Sequence, residues 1–264
     1  MEYLTKLPEE SISLIISYTS PRDACRSSAV SRSMRESADS DAVWRSFLPS
    51  DCQDIVSKSS ASTSLPLILM PRKELYFYLC HNPICIGNGN MSFSLEKEGG
   101  KKCYMIGARD LSIAWGDTSS YWKWKSLPES RFSQVAKLRY VWWLDIKATI
   151  ETKVLSPETT YEAYFVFKFV ESRHGFSQRP VELCVNVEGS EGKEKLRVRL
   201  DLPLDMPQDP RPSQRRDGWM EIEMGSFYNE HGDDGTVLCS LMETDNYAIK
   251  RGLIVEGIEF RPKS

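Results

Sequence analysis

No stretch of this 264-residue chain approaches the ~18 consecutive apolar residues that a membrane-spanning helix needs. The opening residues, Met1-Glu2-Tyr3-Leu4-Thr5-Lys6, lack the basic and apolar regions of a secretory signal. Charge of neither sign prevails. Lys and Arg number 34 against 37 Asp and Glu, a net charge of −3, so there is no electrostatic case for nucleic acid or a membrane surface as partner. Histidine is scarce: His81, His174 and His231 are the only three, none beside an evident nucleophile. No Gly-x-Ser-x-Gly elbow, phosphate-cradling glycine loop or His-Glu-x-x-His helix is present. The acids are too many and too ordinary to nominate a glycosidase pair, so the reading is non-catalytic. No internal repeat is evident, which argues against propellers and solenoids.

Cysteine is present without a framework. Seven are scattered at positions 25, 52, 80, 85, 103, 184 and 239. An odd, irregularly spaced set points to reduced thiols, and hence to the cytoplasm or nucleus. Cys80-His81 with Cys85 lacks a second ligand pair at zinc spacing, so no metal and no cofactor is expected.

The first fifty residues carry helical signals. Pro8 suits the first position of a helix, where its missing N–H costs nothing. Ile12, Ile15 and Ile16 follow on one face. Ser20-Pro21-Arg22-Asp23 supplies a cap, a proline and an acid three residues after the cap. Val43, Trp44, Phe47 and Leu48 form the stripe of a further helix, which Pro49 helps to stop. So few residues bury little core and ordinarily need a partner. The polar run at residues 57–64 reads as a flexible loop, inside a Ser-rich linker over 51–72. Residues 71–80 predict one short helix.

Beyond it the period becomes two. Leu144, Ile146, Ala148 and Ile150 alternate with polar neighbours, as do Tyr161 to Phe169, Val181 to Val187, Leu196 to Leu202, Val237 to Leu241 and Gly252 to Arg261. Strands with one wet face and no long intervening helices predict an all-β antiparallel sandwich over 73–264.

Two family resemblances join these observations. Leu7-Pro8, the spaced isoleucines, Pro21-Arg22-Asp23, Val30-Ser31-Arg32 and Trp44 with Phe47-Leu48-Pro49 fall in an order that resembles an F-box, covering about 4–49 of a 1–50 module. The resemblance implies a helical unit that docks onto the Skp-type adaptor of a cullin ubiquitin ligase, with Leu7, Pro8, Ile12, Ile15, Ile16 and Pro21 at or near the contact.

The second runs over about 73–262. It rests on Ala108 to Asp117, Tyr121-Trp122-Lys123-Trp124, Val141 to Ile146, Asp217 to Ile222 and Gly252 to Pro262, which together resemble the phloem protein 2 family of plant lectins. This implies a jelly-roll-like, lectin-type β-sandwich that binds N-acetylglucosamine oligomers (chitooligosaccharides) or N-glycans on a target glycoprotein. Trp115 and Trp122 match the family's two binding tryptophans, whose rings would stack on the apolar face of a sugar. Of the family's two acids, one is kept as Asp233 in Gly232-Asp233-Asp234-Gly235. The other is replaced by Ser226, a weaker and shorter acceptor. The expectation is a non-catalytic recognition subunit of a ligase whose sandwich selects the target through a glycan. The alternative is an adaptor whose sandwich meets a protein surface directly.

Overall fold

The computed structural model describes residues 7–189, 195–202, 207–232, 235–244 and 248–263. The chain divides into two compact units. The first holds Met1–Gly87 and Phe93–Cys103, the second Asn88–Ser92 and Tyr104–Ser264.

The first unit is helical: α1 (Glu9–Ser17), α2 (Pro21–Ser27), α3 (Arg32–Ala38), α4 (Asp41–Phe47), α5 (Cys52–Ser57), α6 (Ala61–Leu69) and α7 (Arg72–His81), followed by the short strand β1 (Ile84–Ile86). Local chemistry sets several of these boundaries. Pro8 caps α1 from just outside instead of occupying its first turn. The Ser20 hydroxyl accepts from the Asp23 amide at 3.1 Å and starts α2 with Pro21 in its first turn, as expected.

The core of this unit forms around Trp44. Its ring lies 5.5, 5.3 and 5.2 Å from the rings of Phe47, Tyr76 and Phe77, and its Nε1–H donates to the Ala38 carbonyl at 2.8 Å. The Asp41 carboxylate accepts from the Arg72 amide at 3.0 Å, joining the starts of α4 and α7. Gly100 sits at φ +68, where a Cβ would meet the Phe47 carbonyl oxygen at 2.4 Å, so only glycine fits.

Residues 51–72 are not a linker. They form α5 and α6, and Lys58 accepts from the Gly87 amide at 2.9 Å. Ser60 stands at the start of α6. The serines that suggest a loop by composition serve instead as helix starts and polar faces. The boundary expected at residue 73 therefore moves: α7 and β1 belong to the helical unit.

The second unit is an antiparallel sandwich. Its strands follow β2 (Met91–Leu95) and β3 (Lys102–Gly107), inside which the unit boundary falls. They are β4 (Ser112–Ile113), β5 (Trp122–Lys125), β6 (Val135–Leu138), β7 (Leu144–Glu151), β8 (Thr159–His174), β9 (Val181–Val187), β10 (Lys195–Val198), β11 (Ser213–Gln214), β12 (Met220–Asn229), β13 (Thr236–Glu243) and β14 (Arg251–Pro262). One sheet runs β3-β14-β8-β12-β11, with β6 on β14 and β5 on β6; the other runs β10-β9-β13-β7-β4.

The alternating apolar residues face inward as the pattern predicts. One row crosses the second sheet in register: Ile113, Ile146, Leu241, Leu183, Leu196. The other sheet contributes Phe165, Ile222, Phe227, Val255 and Phe260, all buried. The strand expected over 196–202 stops at Val198.

Polar groups on β14 and β12 form a buried ion network. The Glu259 carboxylate meets Arg131 at 3.0 Å and Arg215 at 2.5 Å, while Arg215 and Arg261 reach Glu221 at 2.9 and 3.0 Å. Burial alone would raise the Glu259 carboxyl, but the guanidinium groups of Arg131, Arg215 and Arg261 prevail and hold it below its ordinary range.

Candidate functional site

In the helical unit, the helix period splits the expected adaptor residues into two groups. Ile12 and Ile16 point into the core against α3 and α4, and Pro21 is buried as well. Leu7, Pro8 and Ile15 face solvent. So do Leu14, 58 % exposed, and Tyr18, 84 % exposed, which sequence reasoning missed. They lie one turn or less from Ile15, and the i, i+3, i+4 rule alone does not say which of two overlapping stripes faces inward. Beside them a cavity of about 470 Å³ is lined by Glu9, Glu10, Ser13, Leu14, Ser17, Ser40 and Ala42. The result is an apolar ridge next to a groove rimmed with carboxylates.

In the sandwich, Trp115 is 49 % exposed and Trp122 only 2 %. Trp122 is thus corrected: its ring lies in the core and offers no open face to a sugar. What it does instead follows from its hydrogen bond. The indole N–H of Trp122 donates to the Ala114 carbonyl at 3.1 Å, and that of Trp124 to the Gly116 carbonyl at 3.1 Å. The two indoles hold the backbone on either side of Trp115. Trp115 has φ +55, a left-handed conformation that is costly for a bulky side chain. Arg109 stacks over Trp124 at 3.7 Å, which completes the support.

An exposed aromatic row starts at Trp115. Its ring lies 5.7 Å from Tyr121, Tyr121 lies 5.6 Å from Tyr140, and Tyr140 lies 5.8 Å from Trp142. Tyr121 precedes β5 and Tyr140 follows β6, so the pairing of these strands brings them together. Trp142 is 44 % exposed. The buried Lys250 ammonium donates to the Trp142 carbonyl at 2.6 Å and is paired with Glu243, which fixes that end of the row.

Ser226 is elsewhere. It lines a cavity with Val185 of β9 and Leu196 of β10. Leu196 occupies the far end of the in-register row that begins at Ile113, two residues before Trp115. Four strand spacings separate the ends, roughly 19 Å. The structure therefore does not gather Trp115 and Ser226 into one site. Asp233 lies outside the described residues.

Among the described residues no group of three or more His, Cys, Asp or Glu side chains is placed to hold a metal ion, and no helix is long and apolar enough to cross a membrane. Cys25, Cys52, Cys80, Cys184 and Cys239 carry free thiols; burial pushes Cys52 and Cys80 up to about 11, so neither is a ready nucleophile.

A small helical unit followed by an antiparallel sandwich bearing an aromatic row is the architecture of an F-box-like module joined to a β-sandwich. The F-box-like family matches residues 4–50, and the family described as phloem protein 2 matches residues 101–262. The chain belongs to the phloem protein 2 family, in its F-box-bearing branch. It is 43 % identical to F-box protein PP2-B10 of Arabidopsis thaliana, over 97 % of this chain and 92 % of that protein. With F-box protein PP2-B15 of the same plant it shares 38 % identity over 97 % and 96 %. Among solved structures, the CBM22-1 xylan-binding domain of Paenibacillus barcinonensis Xyn10C aligns with a TM-score of 0.30 and 14 % identity, over 59 % of this chain and 87 % of that one. A TmCBM61 structure in complex with β-1,4-galactotriose aligns with a TM-score of 0.27 and 10 % identity, over 61 % and 88 %.

Proposed function

We propose that this chain is the target-selecting, non-catalytic subunit of a cullin ubiquitin ligase. Its first helices dock a Skp-type adaptor and its sandwich holds the protein to be modified. The observation that carries this reading is the set of outward apolar residues Leu14 and Ile15 on α1, with Leu7 before it and Tyr18 at its end, while the opposite face of the helix is already buried. Such a ridge fits helix-in-groove docking, where a few apolar anchors supply most of the affinity. Co-purification with the adaptor tests it. Ile15→Asp is expected to abolish recovery while the helical signal is retained. If the wild-type chain does not bind the adaptor, the ligase reading falls.

For the target we propose that the row Trp115, Tyr121, Tyr140, Trp142 stacks on N-acetylglucosamine oligomers or N-glycans. Exposed aromatic rings with edge polar groups suit the apolar faces of pyranoses. Titration calorimetry with chitotriose tests this: Trp115→Ala and Trp142→Ala are each expected to weaken binding about tenfold, the scale of one lost anchor. A second reading, in which the sandwich meets a protein surface without carbohydrate, is favoured by the burial of Trp122 and by the distance of Ser226 from Trp115. It takes over if the wild-type protein gives no heat with chitotriose.

A further inference from the structure

The cavity that holds Ser226 is not needed for either contact above. It has a volume of about 340 Å³ and is lined by Val185, Leu196, Asp209, Pro210, Glu223, Met224, Gly225 and Ser226. A bulge in β12 forms it. The register against β8 shifts between Glu223 and Gly225, and Gly225 adopts φ +142. A Cβ on Gly225 would lie 3.3 Å from the Val185 side chain, so the missing side chain keeps this floor open. The lining is mixed. Val185, Leu196, Pro210 and Met224 are apolar; Asp209 and Glu223 are carboxylates, and among the described residues neither is ion-paired.

From these walls we infer that the cavity takes one lysine or arginine side chain of the target protein, its aliphatic stem on Val185 and Leu196 and its cationic head at Glu223 and Asp209. The inference rests on the reading that the sandwich holds a target protein, but not on the glycan contact. Charge complementarity selects the occupant: among the described residues Glu223 and Asp209 form no ion pair, so their negative charge suits a basic head, and long basic side chains lay their stems along apolar groups such as Val185 and Leu196. Burial first, and then the carboxylate of Glu162, push the Glu223 carboxyl up; Lys263 opposes them and Asp209 adds to the rise. A sugar fits less well, since no aromatic ring is among the described lining residues. The volume is at the small end of the roughly 300–1,000 Å³ usual for ligand sites, enough for one side chain rather than an oligosaccharide.

The test uses the full ¹⁵N-labelled chain and follows the amide signals of Gly225 and Ser226. The probes are Nα-acetyl-arginine amide and Nα-acetyl-lysine amide, with Nα-acetyl-norleucine amide as the uncharged control and chitotriose as the sugar. Saturable shifts with a basic probe and none with norleucine are expected. Glu223→Gln and Asp209→Asn should each weaken binding about tenfold, the loss of one charge-assisted hydrogen bond. The dispersed spectra of the variants confirm that they fold. No shift with either basic probe, equal shifts with norleucine, or undiminished binding in both variants overturns the assignment. So does chitotriose moving these same signals in place of the basic probes. Adaptor co-purification is read separately, so failure of the ligase reading and failure of this cavity remain distinguishable.

Discussion

Trp122 and Trp124 act on Trp115 through two indole N–H groups, and this changes what each residue should do when replaced. Trp122→Ala removes a fully buried ring and is expected to cost about 3–5 kcal/mol of stability. Trp122→Phe keeps most of the ring but orphans the Ala114 carbonyl, for about 1–3 kcal/mol. Urea unfolding measures both. Trp115→Ala should change stability little, because half of its surface is already in water. A Trp122→Phe protein as stable as the wild type would remove the support role. The distance between the sites gives a second residue-level expectation: Ser226→Glu leaves chitotriose affinity unchanged, since the added carboxylate is far from the aromatic row. A gain in affinity measured by calorimetry would reunite the two sites. Of the four sugar-site residues named from sequence, only Trp115 is both described and placed on the exposed row. Sequence similarity marks a position as important but does not say whether its side chain touches a ligand or braces the residue that does.

At the scale of the element, the periodicity of α1 was legible, but its direction was not. Ile12, Ile15 and Ile16 share a face in the i, i+3, i+4 count, yet the helix packs with Ile12 and Ile16 inward and turns Ile15 out with Leu14. The inward face is decided by α3 and α4, which come from distant sequence. The consequence is a clean contrast. Ile12→Asp buries a charge and should unfold the helical unit, seen as a loss of helical circular dichroism. Ile15→Asp should leave the spectrum intact and remove only adaptor binding. Equal spectra for both would mean that the inward face is wrongly assigned. Residues 57–64 teach the reverse lesson. Their composition is that of a loop, but Ser64 and Leu67 on α6 are buried, and tertiary packing overrides propensity. Limited proteolysis should therefore leave the 51–72 segment uncut under conditions that nick exposed loops. Early cleavage there would restore the linker.

For the whole molecule, the sandwich was the most legible feature, because one-sided burial imposes a period of two on every long strand. The in-register row from Ile113 to Leu196 is that pattern made physical. The buried ion network was invisible, since Arg131, Arg215, Glu221, Glu259 and Arg261 meet only after β12, β14 and the segment preceding β6 come together. That network makes a prediction about the sandwich as a unit. Glu259 has a folded-state pKa below its ordinary value of 4.5. Above pH 4.5 the carboxylate is ionised in both folded and unfolded chains, and its pairing contributes in full. As the pH falls, the unfolded chain takes up the proton first, so the contribution shrinks and is lost as the pH passes the folded pKa. Glu259→Gln lacks this titration and removes one carboxylate from the network, while Arg215 keeps Glu221 and Asp217 as partners, so the cost at neutral pH is about 1–3 kcal/mol, the scale of a hydrogen bond to a charged group. Glu223 and Glu256, whose carboxyls are raised by burial, titrate in the opposite sense. They are present in both proteins and cancel in the comparison to the extent that the substitution leaves them undisturbed. Urea unfolding of the wild type and Glu259→Gln at pH 7 and at pH 3.5 should therefore show a wide gap at the first and a narrower one at the second. A gap that stays constant would mean that the network holds the sandwich by packing and hydrogen bonding alone, with no contribution from the charge on Glu259.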